Sequence, residues 1–455
     1  MQSFTPVLRV AALSLLAIGF AQTCVLQVAL AQEKPDNWLT RMFQPSATAT
    51  VPAPAGNARE WSGQSGASGN PLMTADAIRA AATDFGGCIE ALWPAAEHRG
   101  VSRTTFERYT ASLTPDLGIM DLLDAQPEFT KSPWDYLDLL VSDERIARGR
   151  EVLAQYAQVF AAVERTYGVD RTILAAIWGV ESKYGTMGGD RSVLRSTATL
   201  ACVGRRRDYF REEFLSALEI LQRGDVAPER LVGSWAGAFG PTQFMPTTFK
   251  RYAVDFDGDG RRNLVDSVPD VLASTANNLQ ADGWVRGRSW GYEVVLPPDF
   301  NYLLADHSRQ MTLRQWAALG IKRAGDQPFP SPSDRAYLLL PAGARGPAFL
   351  MLENFSVIMK YNPAEAYALA IGHLADRLNG GAEFVHAWPR EEHALTIAER
   401  YELQQLLARH GFNGGDPDGR LGPRTRIAIR NFQVATGQIP DGFASSLVLD
   451  RLRQP

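Results

Sequence analysis

The stretch "AAIWGVESKYG", residues 175–185, sets a single carboxylate, Glu181, in an apolar run that stops at a glycine. Burying a carboxylate without partners is costly, so either another group pairs with it or its raised proton affinity is put to use. Upstream, Asp170 stands where a helix N-cap belongs, and Ile173, Ile177, Val180 and Tyr184 then share one helix face. Glu181 lies beside Ile177 and Trp178 by the four- and three-residue spacings. Near the C-terminal end of such a helix, desolvation and the helix dipole both favour the protonated acid, which suits a proton donor. Pairing with Lys183 or an arginine is the alternative, and this helix alone does not decide between them.

At 455 residues, 45% hydrophobic and 21% charged, the chain has room for two or three soluble domains. A formal charge of −4 supplies no global positive field, which argues against nucleic acid or an anionic membrane as partner. Arg205, Arg206 and Arg207 form a local basic run, read as a solvated helix start or an anion contact. At the N-terminus, Arg9 precedes the apolar run "VAALSLLAIGFA", and "ALA" at 29–31 precedes Gln32, the pattern of a signal peptide over residues 1–31 and of export to the periplasm. An uncleaved anchor is the competing reading. Cys24, after Thr23 and Ala21, lacks a lipoprotein context. Cys88 and Cys202 would then remain in an oxidising compartment, either as a disulfide or as two buried thiols.

Residues 32–72 are rich in Pro, Ala, Gly and Ser and read as a flexible tether. From Met73 to about residue 285 the pattern is helical, and between 290 and 352 "YEVVL", "AYLLL" and "AFLML" predict a small antiparallel sheet. The helical "PAEAYALAIGHLADRL" follows, then the connector "PREEHAL" at 389–395. Residues 396–453 predict three short helices, with Pro423 opening the second and Gly437 closing it. Residues 233–249, "GSWAGAFGPTQFMPTTF", are too irregular for a core helix. They offer Ser234, Gln243 and backbone amides to sugar hydroxyls, and Trp235, Phe239 and Phe244 to sugar faces, or else form a turn with packed aromatics. Residues 255–266, "DFDGDGRRNLVD", fit a twelve-residue EF-hand loop, with Asp255, Asp257, Asp259, the Arg261 carbonyl, Asn263 and Asp266 as ligands and Gly260 at the sharp turn. A structural Ca²⁺ steadying the neighbouring 233–249 segment is the expected role. Asp266 replaces the usual glutamate, and its shorter reach weakens bidentate capture or admits another ion. No HExxH or GxSxG pattern occurs.

Two resemblances join these observations. "LQQLLARHGF", "DGRLGPRTRIAIRNFQ" and the later "DG" at 441–442 resemble the peptidoglycan-binding module. "GVES", "AGAFGPTQFMP" and "NFSVIMKYN", in that order, resemble the motifs of the lytic murein transglycosylase B family, over residues 73–388. That resemblance implies a mainly α, lysozyme-like α+β catalytic domain of a periplasmic enzyme. Its reaction would cut the β-1,4 bond between N-acetylmuramic acid and N-acetylglucosamine without water as acceptor, leaving 1,6-anhydro ends. Glu181 takes the place of the family's single catalytic acid and base, Ser234 and Gln243 match positions of the muramyl site, and Tyr156 and Tyr361 match aromatics of the cleft. Ser356 departs from the aromatic common there. Arg205 and Arg206 are expected to meet stem-peptide carboxylates, and the family's calcium loop matches 255–266. A water-using muramidase and a non-catalytic wall-binding scaffold are the competing functions. Partners in a wall-synthesis complex are not legible.

Overall fold

Every residue from Ile173 to Ser182 is buried in the helix Arg171–Ser182. A helix apolar on all sides belongs at the centre of a domain. Here the helices Asp143–Gln155, Ala157–Tyr167, Val268–Ala281 and Glu365–Leu378 pack around it. Asp170 holds the N-cap position in extended conformation but makes no side-chain cap bond. Glu164 does that work, accepting from the Arg171 amide at 3.1 Å and so satisfying one of the donors a helix start leaves open.

The computed structural model describes residues 60–66, 70–123 and 131–454. The expected signal peptide, Cys24 and the expected tether up to residue 59 lie outside them. The last part of that stretch is not a tether: Ser62 donates through its amide and hydroxyl to Asp121 at 2.9 and 2.6 Å, and the Gly66 amide donates to the Met73 carbonyl at 2.9 Å. Composition hid the Ser62 contacts because their partner, Asp121, lies 59 residues away. Among the described residues no helix is long and apolar enough to cross a membrane. Cys88, in helix Phe85–Glu90, is disulfide-bonded to Cys202, the last residue of helix Val193–Cys202, across a separation of 114 residues.

An antiparallel five-stranded sheet has the order Met311–Thr312, Arg335–Leu339, Ala348–Met351, Gly291–Val295, Lys322–Arg323. Its three long strands are the three predicted runs; the two outer ones are too short to show a period. Leu338 pairs with Leu350, and these two with Val294 face a small core around the fully buried Trp316. The alternate residues Tyr337, Leu339, Phe349 and Met351 face the main helical core. Burial on both faces accounts for strands that read as continuous apolar runs.

The three C-terminal helices, Ile397–Arg409, Pro423–Ala435 and Ser446–Leu452, enclose Leu403, Leu407, Ile429, Phe432 and Leu449. Gln404 grips the first "DG" turn, donating to Asp418 and accepting from the Asp418 and Gly419 amides. Gln433 holds the second in the same way, through Asp441 and the Gly442 amide.

Candidate active site

The chain leaves the Glu181 helix through Lys183, Tyr184 and Gly185, all with positive φ. Two non-glycine residues in succession in that region carry strain that the surroundings must offset. What holds them is the Tyr184 ring, seated in a notch between two glycines. A Cβ on Gly179 would stand 2.6 Å from the ring and one on Gly149 would strike the hydroxyl. The hydroxyl donates to the Arg145 carbonyl at 3.0 Å. The glycine of "GVES" is therefore a packing requirement that turns the chain sharply just after the carboxylate.

Glu181 is fully buried. Tyr367 Oη donates to its Oε1 at 2.6 Å, while Oε2 is buried and has no hydrogen-bond partner among the described residues. Among the described residues no cation pairs with it, so the alternative of Lys183 or an arginine is not realised; Lys183 is exposed. Desolvation pushes the carboxyl up to about 8, and the Tyr367 hydrogen bond opposes that only in part. Tyr361 and Tyr367 are held well above the ordinary phenol range by burial and then by the nearby Glu181 charge, so both hydroxyls remain donors.

The second motif closes on this helix, and the third on the second, through hydroxyl-to-carbonyl bonds. Ser182 Oγ donates to the Pro241 carbonyl at 2.6 Å, and Tyr361 Oη to the Thr242 carbonyl at 2.5 Å. The loop between them is shaped by a mutual pair of backbone bonds between Phe239 and Phe244 and by positive φ at Gly240 and Gln243. Gln243 is buried, and its amide nitrogen donates to the Gly188 and Gly240 carbonyls at 3.1 and 2.9 Å. Ser234 is half-buried and its hydroxyl accepts from the Ala238 amide at 3.0 Å. Tyr156 sits at the break between two helices, its ring 5.9 Å from that of Trp178, one turn before Glu181.

Several expectations change. Phe239 and Phe244 are wholly buried and cannot offer faces to a sugar, whereas Trp235 is half-buried. The tyrosine bonded to the carboxylate is Tyr367, which sequence reasoning did not single out; Tyr361 stands close enough to feel the Glu181 charge, but its hydroxyl goes to the Thr242 carbonyl. Arg205 and Arg206 stand before helix Arg207–Arg223, Arg206 stacked on Tyr209 at 4.3 Å, and Arg205 donates to the Leu123 carbonyl at 3.4 Å. A second buried acid, Glu213, was also missed. Burial pushes it up to about 7, and its two oxygens accept from the amide and hydroxyl of Thr247 at 2.9 and 2.7 Å. It pins the start of helix Pro246–Tyr252.

In the 255–266 loop, the carboxylates of Asp255, Asp257 and Asp259 converge within 4.8 Å of one another, a donor set suited to a hard divalent cation. Asp266 does not join them. It is ion-paired to Arg230, and Asn263 Oδ1 accepts the Val265 and Asp266 amides. Asp270, outside the twelve residues and fully buried, ties the loop by accepting from the Phe256 and Asn263 amides at 2.7 and 2.8 Å.

With this geometry in hand, the chain matches the transglycosylase SLT domain model over residues 84–376 and the peptidoglycan binding domain model over 396–452. It is 33% identical over 245 residues to the membrane-bound lytic murein transglycosylase B of Escherichia coli K12, covering 52% of this chain and 65%, less than two thirds, of that protein. Pseudomonas aeruginosa SltB3, solved in complex with NAG-anhNAM-pentapeptide, is 46% identical with a TM-score of 0.79, over 81% of this chain and 99% of that one. The Escherichia coli lytic transglycosylase Slt35, solved in complex with calcium, is 29% identical with a TM-score of 0.56, over 66% and 92%.

Proposed function

The chain belongs to the transglycosylase SLT domain family, and from that premise we propose that it is an exported lytic transglycosylase of peptidoglycan. The observation that carries this is the state of Glu181, wholly desolvated, held by one hydroxyl and with a carboxyl pushed up to about 8. Such a group is protonated at neutral pH and can donate to the glycosidic oxygen between N-acetylmuramic acid and N-acetylglucosamine. Two-carboxylate glycosidases place a second acid across the bond; among the described residues no other carboxylate acts on Glu181.

In the proposed sequence, Glu181 gives its proton to the leaving oxygen as the C1–O bond breaks, and the sugar's own 2-acetamido group stabilises the cationic carbon. The carboxylate then takes the proton of the muramyl C6 hydroxyl as O6 bonds to C1. The product carries a 1,6-anhydro ring, and Glu181 is again protonated. An acceptor held within the same molecule has a proximity advantage over free water. Ser234, Gln243 and Tyr156 are assigned to substrate binding. Tyr361 positions the loop beneath it. Asp255, Asp257 and Asp259 are the residues that would hold Ca²⁺, which would supply charge neutralisation to the loop rather than chemistry.

Digestion of purified peptidoglycan followed by mass spectrometry tests the reading. Anhydro ends are expected; reducing ends would make the protein a muramidase. Undiminished cleavage by Glu181→Gln would remove Glu181 from the mechanism, and no cleavage of any kind by the wild type would leave only the wall-binding role.

A further inference from the structure

Between the C-terminal module and the catalytic body lies a cavity of about 430 Å³. Trp134, Leu338 and Glu365 contribute to its wall from the body, and Arg400, Arg426 and Phe443 from the module. Arg400 is only 8% exposed. Its Nε is buried without a partner, and among the described residues its guanidinium makes no hydrogen bond or ion pair. Burial alone acts on its ionisation, with no acid to compensate. A guanidinium cannot escape this by losing its proton, and an uncompensated buried cation is destabilising.

The acids in the wall are already engaged. Glu365 faces Arg426 at 3.0 Å and His307 at 3.5 Å. Asp441 accepts from the Ala344 amide at 2.8 Å and from Gln433 at 2.7 Å. Arg430 donates to the Ala305 carbonyl, yet its Nε is also buried and unpartnered. The cavity thus has an excess of positive donors above an apolar floor, which is complementary to a carboxylate on a partly apolar body.

We propose that this cavity binds the carboxylate of a short peptide, with Arg400 as the anchoring group. That the peptide is a peptidoglycan stem rests on the proposed function; the carboxylate chemistry does not. Because both the module and the body line the cavity, an occupied site would fix one against the other and set where a bound strand lies relative to Glu181.

Calorimetric titration of the full-length protein with a synthetic stem tetrapeptide, the same peptide with its carboxylates amidated, and acetate provides the test. The free acid is expected to bind, and the amidated peptide to bind about tenfold more weakly or worse. Arg400→Met is expected to lose binding to a similar extent, to cleave peptide-free glycan at the wild-type rate, and to melt no lower than wild type without ligand. Equal binding of free and amidated peptide, or retention of binding by Arg400→Met, overturns the proposal. Displacement of the peptide by equimolar acetate overturns the peptide assignment. If Arg400→Met does not fold, the free-versus-amidated comparison on wild type and the charge-keeping Arg400→Lys decide it. Loss of cleavage in Glu181→Gln is read separately, so failure at one site does not pass for failure at the other.

Discussion

If Glu181 is held protonated by burial, replacing it with Gln should stabilise the fold, and increasingly so as pH rises. Burial pushes the carboxyl up to about 8 in the folded chain from its ordinary value of 4.5. Between those values the folded state binds a proton that the unfolded state does not. The contribution is therefore intact below about pH 4.5 and is lost progressively as pH climbs through 8, at about 1.4 kcal/mol per unit. Summed over the interval, wild type gives up roughly 4 kcal/mol that the uncharged glutamine keeps. Glu213, pushed up to about 7 by burial, titrates in both proteins and cancels from the difference. Urea denaturation of wild type and Glu181→Gln at pH 5, 6, 7 and 8 measures this directly. The two midpoints should nearly coincide at pH 5 and separate steadily to pH 8, the variant being more stable. A constant gap across the range would show that Glu181 titrates normally and is not the desolvated acid the mechanism requires.

Tyr367→Phe removes the hydrogen bond that favours ionised Glu181, so the alkaline limb of the kcat/KM profile should move up by about one to two pH units; an unmoved or lowered limb refutes the pairing. Replacing Cys88 and Cys202 together by Ser opens a loop spanning 114 residues and should cost about 4 kcal/mol in urea denaturation; a loss below 1 kcal/mol would show that the crosslink does not constrain the unfolded chain. Adding Ca²⁺ to chelator-treated protein should raise its melting temperature, and Asp257→Asn should abolish the rise; identical melting with and without the ion removes calcium from the account.

The parts legible in the sequence are those whose cause is local. Glu181 stood out as one charge in an apolar helix, the three long strands as apolar runs between turns, and the terminal module through its "DG" turns with Pro423 and Gly437. What escaped depended on partners far along the chain. Tyr367 meets Glu181 across 186 residues, and within its own helix it is simply another buried residue. Spacing alone nominates Asp266 as the last ligand of the acidic loop, but Arg230 claims it, while Asp270 ties the loop from outside the motif. Phe239 and Phe244 resembled sugar platforms because aromatic rings read alike on a cleft and in a core.

Burial raises the proton affinity of Glu181, and where its neighbours' hydroxyls go decides how much of that rise survives. Of the hydroxyl groups around the end of its helix, those of Ser182 and Tyr361 donate to the backbone carbonyls of Pro241 and Thr242, and that of Tyr184 to the Arg145 carbonyl. Among the described residues only Tyr367 donates to the carboxylate. A carboxylate receiving two or three hydrogen bonds is driven well below its ordinary range and would make a poor acid at neutral pH. One bond opposes desolvation without overcoming it, leaving a group that can give its proton to an oxygen and soon afterwards accept another. The Pro241 and Thr242 acceptors lie in the loop that carries Gln243, so the bonds that withhold hydroxyls from Glu181 also fix the loop assigned to the sugar, and proton affinity and substrate position follow from one set of contacts.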